Sequence, residues 1–258
     1  MTNVQIRKTP VTPVPAATLL LVRDGPAGIE VLLTTRHDAA GFAAGAAVFP
    51  GGKLDANDGA RAKANGAAGD PFRIAAIRET FEESGILLAR RAPRGATLSG
   101  AELAEFVARQ SSVADFGAFV DRAELLLATD LLVPFAHWIT PVDQPKRYDT
   151  RFFLAPAPAG QTAQHDGHEA VEVHWLTPED AFDAARDRRI KLVMATRLNL
   201  LKLGRSKTVA EAIEVAHRSE IVTVQPELVQ TAEGPAFRIP AEADYGVTDV
   251  LVSSYSRA

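Results

Sequence analysis

The sequence predicts an α/β (α+β) fold with a C-terminal helical extension. Short apolar segments such as "ATLLLV" and "IEVLLTTR" are typical of strands. Segments with apolar residues at helical spacing occur between such strands, but the two kinds do not alternate regularly. A chain of 258 residues, 47% of them hydrophobic, is long enough to bury the core of such a fold.

Turn and start signals give the order of the elements. The two segments quoted above flank "RDGPAG" and predict a hairpin, and "AAVFPGG" predicts a short strand that enters a glycine turn. The Gly- and Ala-rich "KLDANDGARAKANGAAGDPF" has no sustained period and predicts a loop, and the tail around "PAFRIPAEADYGV" is predicted to be irregular. Later strands are expected in "LVPFAHWITP", "YDTRFFLAPAP" and "VEVHWL". Helices are expected at 72–88, 99–111, 115–128, 192–203 and 208–218, and in "TPEDAFDAARDRR" with Thr177 as its N-cap.

Composition restricts the classes of function. The chain has no cysteine, which excludes disulfides, thiolate metal ligands and cysteine nucleophiles. A net charge of −4 gives no general attraction to nucleic acid or to anionic membranes. The run "AATLLLV" is too short to span a bilayer and poorly placed for a signal peptide, so we expect a cytoplasmic protein.

The stretch "AAIRETFEESGILL" contains the strongest candidate site. On a helix, Glu79 lies beside Glu82 and Glu83, while Ile74, Ile77 and Phe81 point towards a core, so the glutamates are expected on a hydrophilic face. Adjacent carboxylates repel one another, and a divalent cation removes that repulsion. Because thiolates are absent, oxygen ligands favour Mg²⁺ or Mn²⁺. Acidic helix faces are also common without any metal, so the triplet alone does not decide between the two interpretations.

The residues around the triplet favour the metal site over an acidic helix face without a metal. "FPGGKLDAND…AIRETFEESGI" resembles the Nudix box, G-x5-E-x7-R-E-U-x-E-E-x-G-U, in which U is a bulky apolar residue. Asp58 stands where glutamate is usual, and nineteen residues instead of seven separate it from Arg78, so an insertion at 59–72 is expected to loop out. The other box positions are filled by Gly52, Arg78, Glu79, Thr80, Glu82, Glu83, Gly85 and Ile86.

The resemblance implies a fold in which a mixed sheet is sandwiched by helices, and it also implies an activity and a set of roles. Nudix hydrolases bind Mg²⁺ that bridges the diphosphate of a nucleoside diphosphate linked to another moiety, and water attacks one phosphorus. By resemblance, Glu79, Glu82 and Glu83 are metal ligands and catalytic residues, Gly52 offers a backbone carbonyl, and Arg78 orients the carboxylates. The implied domain spans residues 16–190, after an extended arm at 1–15 and before a C-terminal helical cap and tail at 191–258 packed on the same domain. The expected partner is a small-molecule nucleotide, and the chain is expected to be a monomer or a homodimer.

The order of motifs beyond the box is similar to a eukaryotic branch of Nudix hydrolases, some of which cleave coenzyme A and acyl-CoA. The Arg-Ser pair and His-x-Gly that mark the dedicated CoA pyrophosphatases are not met, so CoA is a candidate substrate only. A phosphorylated substrate calls for basic side chains, and Arg36, Arg147 and Arg151 are the candidates. Trp138 and Phe152 could stack an adenine or belong to the core.

Many Nudix enzymes place a further carboxylate outside the box, and Glu169 is preferred over Glu172 for that role. His165 and His168 are not expected to form a metal pair. Two alternatives remain open: a hydrolase of ADP-ribose, NADH or dinucleotides, and a Nudix domain that binds a nucleotide as a sensor or scaffold without cleaving it. The retention of all three glutamates disfavours the second alternative, and the Asp58 substitution keeps it open.

Overall fold

A computed structural model of the chain describes residues 10–36, 45–65, 70–109, 115–165 and 170–254. Its main sheet is mixed and runs in the order β10-β3-β2-β1-β8-β7-β11, with β4 beside β1 and β9 beside β2. The first strands are β1 (Val14–Gly25), β2 (Gly28–Arg36), β3 (Ala46–Val48) and β4 (Gly51–Lys53). The others in this sheet are β7 (Val133–Ile139), β8 (Tyr148–Pro156), β9 (Ala170–Leu176), β10 (Lys191–Leu192) and β11 (Thr223–Val224), and β5 (Ala89–Arg90) pairs separately with β6 (Leu126–Leu127).

Strand β1 occupies the middle of the sheet and divides the core in two. It forms the predicted hairpin with β2, closed by the pair Gly25 and Gly28, and runs parallel to β8 on its other side. Successive side chains of a strand point to opposite faces. Leu19 and Leu21 therefore join one apolar cluster and Leu20 joins the other, and all three are fully buried.

Helices cover both faces of the sheet, which confirms the predicted fold class. One cluster contains apolar residues of α2 (Pro71–Ser84), α3 (Gly100–Ala108) and α4 (Phe116–Arg122), and also Ala62 of α1 (Ala56–Ala64). The other contains residues of α5 (Pro178–Arg186), α6 (Met194–Leu203) and α7 (Val209–Arg218).

The helix boundaries follow the signals in the sequence. Thr177 caps α5 by accepting a hydrogen bond from the Asp180 amide, as predicted. Asp70 caps α2, Pro71 occupies its first turn, and Gly85 ends it with a positive φ of 70° that a side chain rarely adopts. Helix α2 therefore stops at Ser84, short of the predicted Leu88.

Two sequence expectations are wrong. The stretch after Lys53 was expected to be a loop, but it contains α1, whose first turn is closed by a capping box between Asp55 and Asp58. The tail was expected to be irregular, but it forms a separate sheet of three strands, β12 (Glu227–Thr231), β13 (Gly234–Arg238) and β14 (Asp249–Leu251).

The segment after residue 190 is joined to the main sheet at both edges. Strand β10 pairs in parallel with β3, and β11 pairs in parallel with β7. The segment therefore contains strands as well as the predicted helices. In the described parts of the chain, no helix is both long enough and apolar enough to cross a membrane.

Candidate active site

Helix α2 presents its glutamates beside the glycine turn. Its core side is as predicted, because Ile74 and Ile77 are fully buried and Phe81 is 7% exposed. Phe81 stacks on Phe119 of α4 with ring centroids 5.3 Å apart. This packing fixes the rotation of the helix and so directs the box residues towards β4.

Arg78 holds the two halves of the box together. Its Nε and one terminal nitrogen donate to Asp58 Oδ1 and Oδ2 at 3.1 and 3.0 Å, and that nitrogen also donates to the Lys53 carbonyl at 2.9 Å. Its other terminal nitrogen donates to Glu79 at 2.8 Å and to Glu82 at 2.9 Å. Burial alone would lower the pKa of the guanidinium, but the hydrogen bond with Asp58 and the charges of Glu79, Asp58 and Glu82 outweigh it, so the pKa lies above its usual range.

Asp58 has a defined place in this arrangement despite the long insertion. The residue is 3% exposed, and its Oδ2 also accepts the Asp55 amide of the α1 capping box at 2.7 Å. Its carboxylate thus orients Arg78. The first part of the insertion is helical in α1, and a helix is shorter per residue than an extended chain. The insertion therefore adds less distance between Asp58 and Arg78 than its length suggests.

Thr80, at a box position where bulky apolar residues are usual, is fully buried. Its hydroxyl donates to the Ala76 carbonyl one turn earlier, at 2.7 Å. The buried polar atom is therefore satisfied within the helix, and the substitution leaves no orphaned hydrogen-bonding group.

The three glutamates differ in environment. Side chains of Glu79 and Glu82 are 12% and 41% exposed, and both line an open cleft. Glu83 is only 3% exposed, so the expectation of a hydrophilic face is wrong for this residue. Its Oε2 accepts hydrogen bonds from the Thr34 hydroxyl and the Gly51 amide, both at 3.3 Å, and these bonds satisfy the buried carboxylate.

The glycine turn must be glycine because the backbone and the glutamates approach each other closely. A methyl group added at Gly52 would overlap the Glu79 carboxylate, and one added at Gly51 would overlap the Ala17 carbonyl and Thr18. The backbone of the turn thus packs directly against the Glu79 carboxylate of α2. This proximity agrees with the predicted role of the Gly52 carbonyl, which stays a prediction.

The cleft beside the glutamates has a volume of about 570 Å³, within the range of small-molecule sites. Its residues come from both helix layers and from the sheet between them. They are Ala16, Thr18, Val48, Phe49, Gly51, Gly52, Lys53, Arg78, Glu79, Glu82, Trp138, Ile139, Thr140, Pro141, Lys146, Tyr148, Thr150, Phe152, Val193, Met194, Ala195, Thr196 and Pro226. Trp138 and Phe152 are 5% and 7% exposed, so they belong to the core and also form part of the cleft wall.

Part of this lining was not predicted from the sequence. Lys53 and Lys146 reach the cleft, whereas the basic residues predicted from "KRYDTRFF" were Arg147 and Arg151. The residues from Val193 to Thr196 were missed because the parallel pairing of β10 with β3 brings them there. No local pattern encodes that long-range pairing.

Two predicted substrate-binding arginines have structural contacts. Arg147 is 6% exposed and donates to the carbonyls of Thr140 and Val11 at 3.0 and 2.8 Å, and to the Gln225 side chain at 3.2 Å. Arg151 lies over the Phe72 ring at 3.9 Å, on the face of β8 opposite the cleft residues Thr150 and Phe152. These contacts favour structural roles, and substrate binding by either residue stays a prediction.

Other candidates lie at the limits of the described chain. Glu169 and His168 fall outside it, and Arg36 is described only as the last residue of β2, paired with Ala170 of β9. Glu172 is described on β9, where it contacts His174 at 3.1 Å with its side chain 60% exposed. Its partner is thus a neighbour on the same strand.

The donor chemistry at α2 fits a hard divalent cation, since carboxylate and carbonyl oxygens are the ligands that Mg²⁺ prefers. Within the described ranges, no three carboxylate or imidazole groups already converge into a complete metal site. The Arg78 guanidinium is hydrogen-bonded to both Glu79 and Glu82 in this conformation. The site therefore supplies oxygen ligands of the type that Mg²⁺ prefers, and the Arg78 guanidinium holds the carboxylates of Glu79 and Glu82 in place.

Comparison with known proteins places this site in a family. The NUDT19 Nudix domain model matches residues 61–197, which include α2 and its glutamates. Acyl-coenzyme A diphosphatase NUDT19 of Gallus gallus is 29% identical in an alignment 235 positions long, and the alignment covers 69% of this chain and 62% of the relative. The protein of the same name from Xenopus laevis is 26% identical in an alignment 214 positions long, which covers 62% of this chain and 56% of the relative. The chain thus spans about three fifths of the length of these relatives.

Solved structures agree with this placement. The crystal structure of a NUDIX hydrolase from Alicyclobacillus acidocaldarius superposes with a TM-score of 0.66 at 26% sequence identity, over 81% of this chain and 97% of that one. The fold, the box residues and the family match therefore lead to one conclusion: this chain belongs to the NUDT19 Nudix domain family.

Proposed function

We propose that the chain hydrolyses the diphosphate bond of a nucleoside diphosphate linked to another moiety, with Mg²⁺ or Mn²⁺ as cofactor. One observation carries the proposal. Glu79, Glu82 and the Gly51–Gly52 turn meet at the wall of a cleft large enough for a nucleotide derivative, with Glu83 directly behind them. An acidic helix without function would not need a glycine turn packed against it.

The residues of α2 have distinct roles in this proposal. Glu79, Glu82 and Glu83 would hold the metal with the Gly52 carbonyl. When bound, the ion neutralises phosphate charge and lowers the pKa of water. Arg78 orients Glu79 and Glu82, and Asp58 orients Arg78 through two hydrogen bonds. In the net reaction, a water oxygen bonds to one phosphorus, the bond from that phosphorus to the bridging oxygen breaks, and two phosphate monoesters are released.

The proposed substrate class is CoA or an acyl-CoA. The named activity of the two vertebrate relatives supports this choice, and so does the chemistry of the cleft. Trp138, Phe152 and Phe49 give it apolar and aromatic surface, and Lys53 and Lys146 give it positive charge. A ligand with both apolar groups and several phosphates matches that combination.

The test is product analysis by mass spectrometry. The purified chain would be incubated with Mg²⁺ and, separately, with CoA, an acyl-CoA, ADP-ribose, NADH and a diadenosine polyphosphate. Release of adenosine 3′,5′-bisphosphate and 4′-phosphopantetheine from CoA supports the full proposal. Cleavage of another compound alone keeps the chemistry and replaces the substrate, and binding without any cleavage contradicts hydrolysis.

A further inference from the structure

Tyr245 connects the C-terminal tail to the wall of the candidate substrate cleft. It lies in the loop between β13 and β14, outside residues 61–197 that match the family model. Its ring is 4% exposed and packs in the same apolar cluster as Trp138, with the two ring centroids 5.5 Å apart. Trp138 lines the cleft, and its indole N–H donates to the Tyr245 hydroxyl at 2.9 Å. The tail therefore contacts a residue of the cleft wall directly.

The Tyr245 hydroxyl is held from its other side by α6. It donates to Asn199 Oδ1 at 2.8 Å, and Asn199 is fully buried. A hydroxyl that accepts from one group and donates to another has its position and its direction set by both partners. The indole of Trp138 is thus held by a chain of two hydrogen bonds, which ends on the helix whose first turn also lines the cleft.

The backbone of the β13–β14 loop is shaped to insert this ring. Asp244 and Gly246, on either side of Tyr245, have positive φ angles of 55° and 75°. Such angles are uncommon for residues other than glycine, although aspartate tolerates them better than most. Asp244 is also held by an ion pair with Arg205, just after α6, at 2.8 Å. The loop therefore has a defined conformation that directs Tyr245 inwards.

Asn199 indicates that this network is not retained for stability alone. Its Nδ2 is buried and has no hydrogen-bond partner among the described residues. An unpaired buried donor costs free energy, whereas apolar side chains of similar size at positions 199 and 245 would leave no amide to satisfy. The amide therefore fits a role in holding the Tyr245 hydroxyl, and through that hydroxyl the Trp138 ring.

We propose that Tyr245 is a positioning residue for substrate binding, because its hydroxyl holds the Trp138 ring in the orientation in which that ring contacts the substrate. The inference rests on the proposed function for the location of the substrate in the cleft. Ile77 of the glutamate helix packs in the cluster on one face of the sheet, whereas Trp138 and Tyr245 pack in the cluster on the other face. Loss of the Tyr245 hydroxyl should therefore weaken substrate binding and leave the chemical step unchanged.

The first measurement follows Trp138 itself and requires no substrate. The chain has two tryptophans, so Trp175→Phe leaves Trp138 as the sole source of indole fluorescence. In this background, we expect Tyr245→Phe to lower the fluorescence anisotropy of Trp138 and to increase its quenching by acrylamide. The reason is that the indole N–H loses its partner and the ring gains freedom of movement. Identical anisotropy and quenching with and without the hydroxyl would overturn the proposal.

The second measurement is the steady-state hydrolysis, with Mg²⁺, of CoA or of whichever compound in the panel above the chain cleaves. We expect Tyr245→Phe to raise KM about 3- to 10-fold, the scale of one aromatic contact, with kcat within about twofold of the wild type. Thr208→Val is the matched control. It removes the hydroxyl that caps α7, a residue that does not line the cleft, so stability should fall while KM stays the same. An unchanged KM in Tyr245→Phe, or a larger fall in kcat, would overturn the proposal.

A third variant separates positioning from stability. Tyr245→Phe leaves the buried Asn199 amide without the hydroxyl that its oxygen accepts. Adding Asn199→Leu removes that amide, so the double variant should recover part of the lost stability in urea denaturation. Its KM should stay raised, because Trp138 still lacks its partner. A KM that returns to the wild-type value together with the stability would mean that the role of Tyr245 is purely structural.

A failure of this inference is distinguishable from a failure of the proposed function. If the chain cleaves no compound of the panel, the dissociation constant of CoA, measured by Trp138 fluorescence, replaces KM and should rise by the same factor in Tyr245→Phe. That result would retain the positioning role without the activity. A chain that cleaves CoA with the same KM with and without the Tyr245 hydroxyl has the activity without the positioning role.

Discussion

Asp58 accepts two hydrogen bonds from the Arg78 guanidinium, at 3.1 and 3.0 Å, across the insertion that separates them in sequence. This pair joins α1 to α2 and fixes the guanidinium that in turn contacts Glu79 and Glu82. The site is thus organised by an ion pair that local sequence spacing does not predict. Its contribution can be measured separately from that of the glutamates.

Asp58→Asn should lower both stability and activity. The change weakens a charge-assisted contact to a guanidinium that is 14% exposed, which costs about 1–3 kcal/mol of unfolding free energy. Loss of the orienting partner should lower kcat about 10- to 100-fold with little change in KM. Urea denaturation and steady-state kinetics measure the two effects. Asp121→Asn is the control, because Asp121 pairs with Arg61 while 70% exposed, and it should change stability by less than about 1 kcal/mol.

Glu83→Gln should remove activity while the fold is retained. The amide keeps an oxygen that can accept the Thr34 hydroxyl and the Gly51 amide, but it loses the charge that a metal ligand needs. We expect kcat to fall about 100-fold or more. Glu233→Gln, on an exposed turn, is the matched control. Full turnover by Glu83→Gln would show that Glu83 has no role in the reaction.

Phe81→Ala should destabilise the chain by about 3–5 kcal/mol. The ring is buried and packs against Phe119 and Phe116, with centroids 5.3 and 5.9 Å away, so truncation leaves a cavity beneath the glutamate helix. Denaturant unfolding gives the value. Phe237→Ala, at a half-buried position in β13, should cost less. Equal losses in the two variants would argue against the helix orientation described above.

Tyr245 should make the chain sensitive to alkaline pH. Its hydroxyl donates to Asn199 of α6 at 2.8 Å and accepts from Trp138 of the cleft wall at 2.9 Å, and burial raises its pKa above the usual value. A raised pKa means that the neutral hydroxyl stabilises the fold below pH about 10, and that this stability is lost as pH rises beyond the pKa of the unfolded chain. Tyr245→Phe should cost about 1–3 kcal/mol at pH 8 by leaving two buried groups without partners.

The pH dependence distinguishes this account from simple packing. Because only the wild-type chain can ionise at this residue on unfolding, the stability gap between wild type and Tyr245→Phe should narrow above pH 10. Thermal unfolding of both chains between pH 8 and 11 measures the gap. A stability gap that stays constant to pH 11 would mean that the pKa of the Tyr245 hydroxyl is the same in the folded and the unfolded chain.

Metal removal gives a readout that does not require turnover. Mg²⁺ that binds only the folded chain raises its melting temperature with increasing concentration, by mass action. We expect this rise in the wild type, its reversal by EDTA, and a much smaller rise in Glu83→Gln. The same shift in both chains would locate the metal elsewhere.

The parts of this fold that sequence predicted are those with short-range signals. Helix α2 has periodic apolar residues, a capping Asp70 and a terminating Gly85, and its glutamates belong to a recognisable motif. Helix α1 was missed because its buried residues are only Asp58 and Ala62, which leave no apolar period to detect. The cleft wall at α6 was missed because the pairing of β10 with β3 joins residues almost 150 positions apart.

The central claim is that the glutamates of α2 support metal-dependent attack of water on a diphosphate. The most direct measurement is CoA hydrolysis with Mg²⁺ in ¹⁸O-labelled water, with the mass of both products compared between wild type and Glu83→Gln. The account predicts one ¹⁸O atom in one of the two product phosphates for the wild type, and no product above background for the variant. Equal labelled product from both chains, or cleavage without incorporation of label, would contradict it.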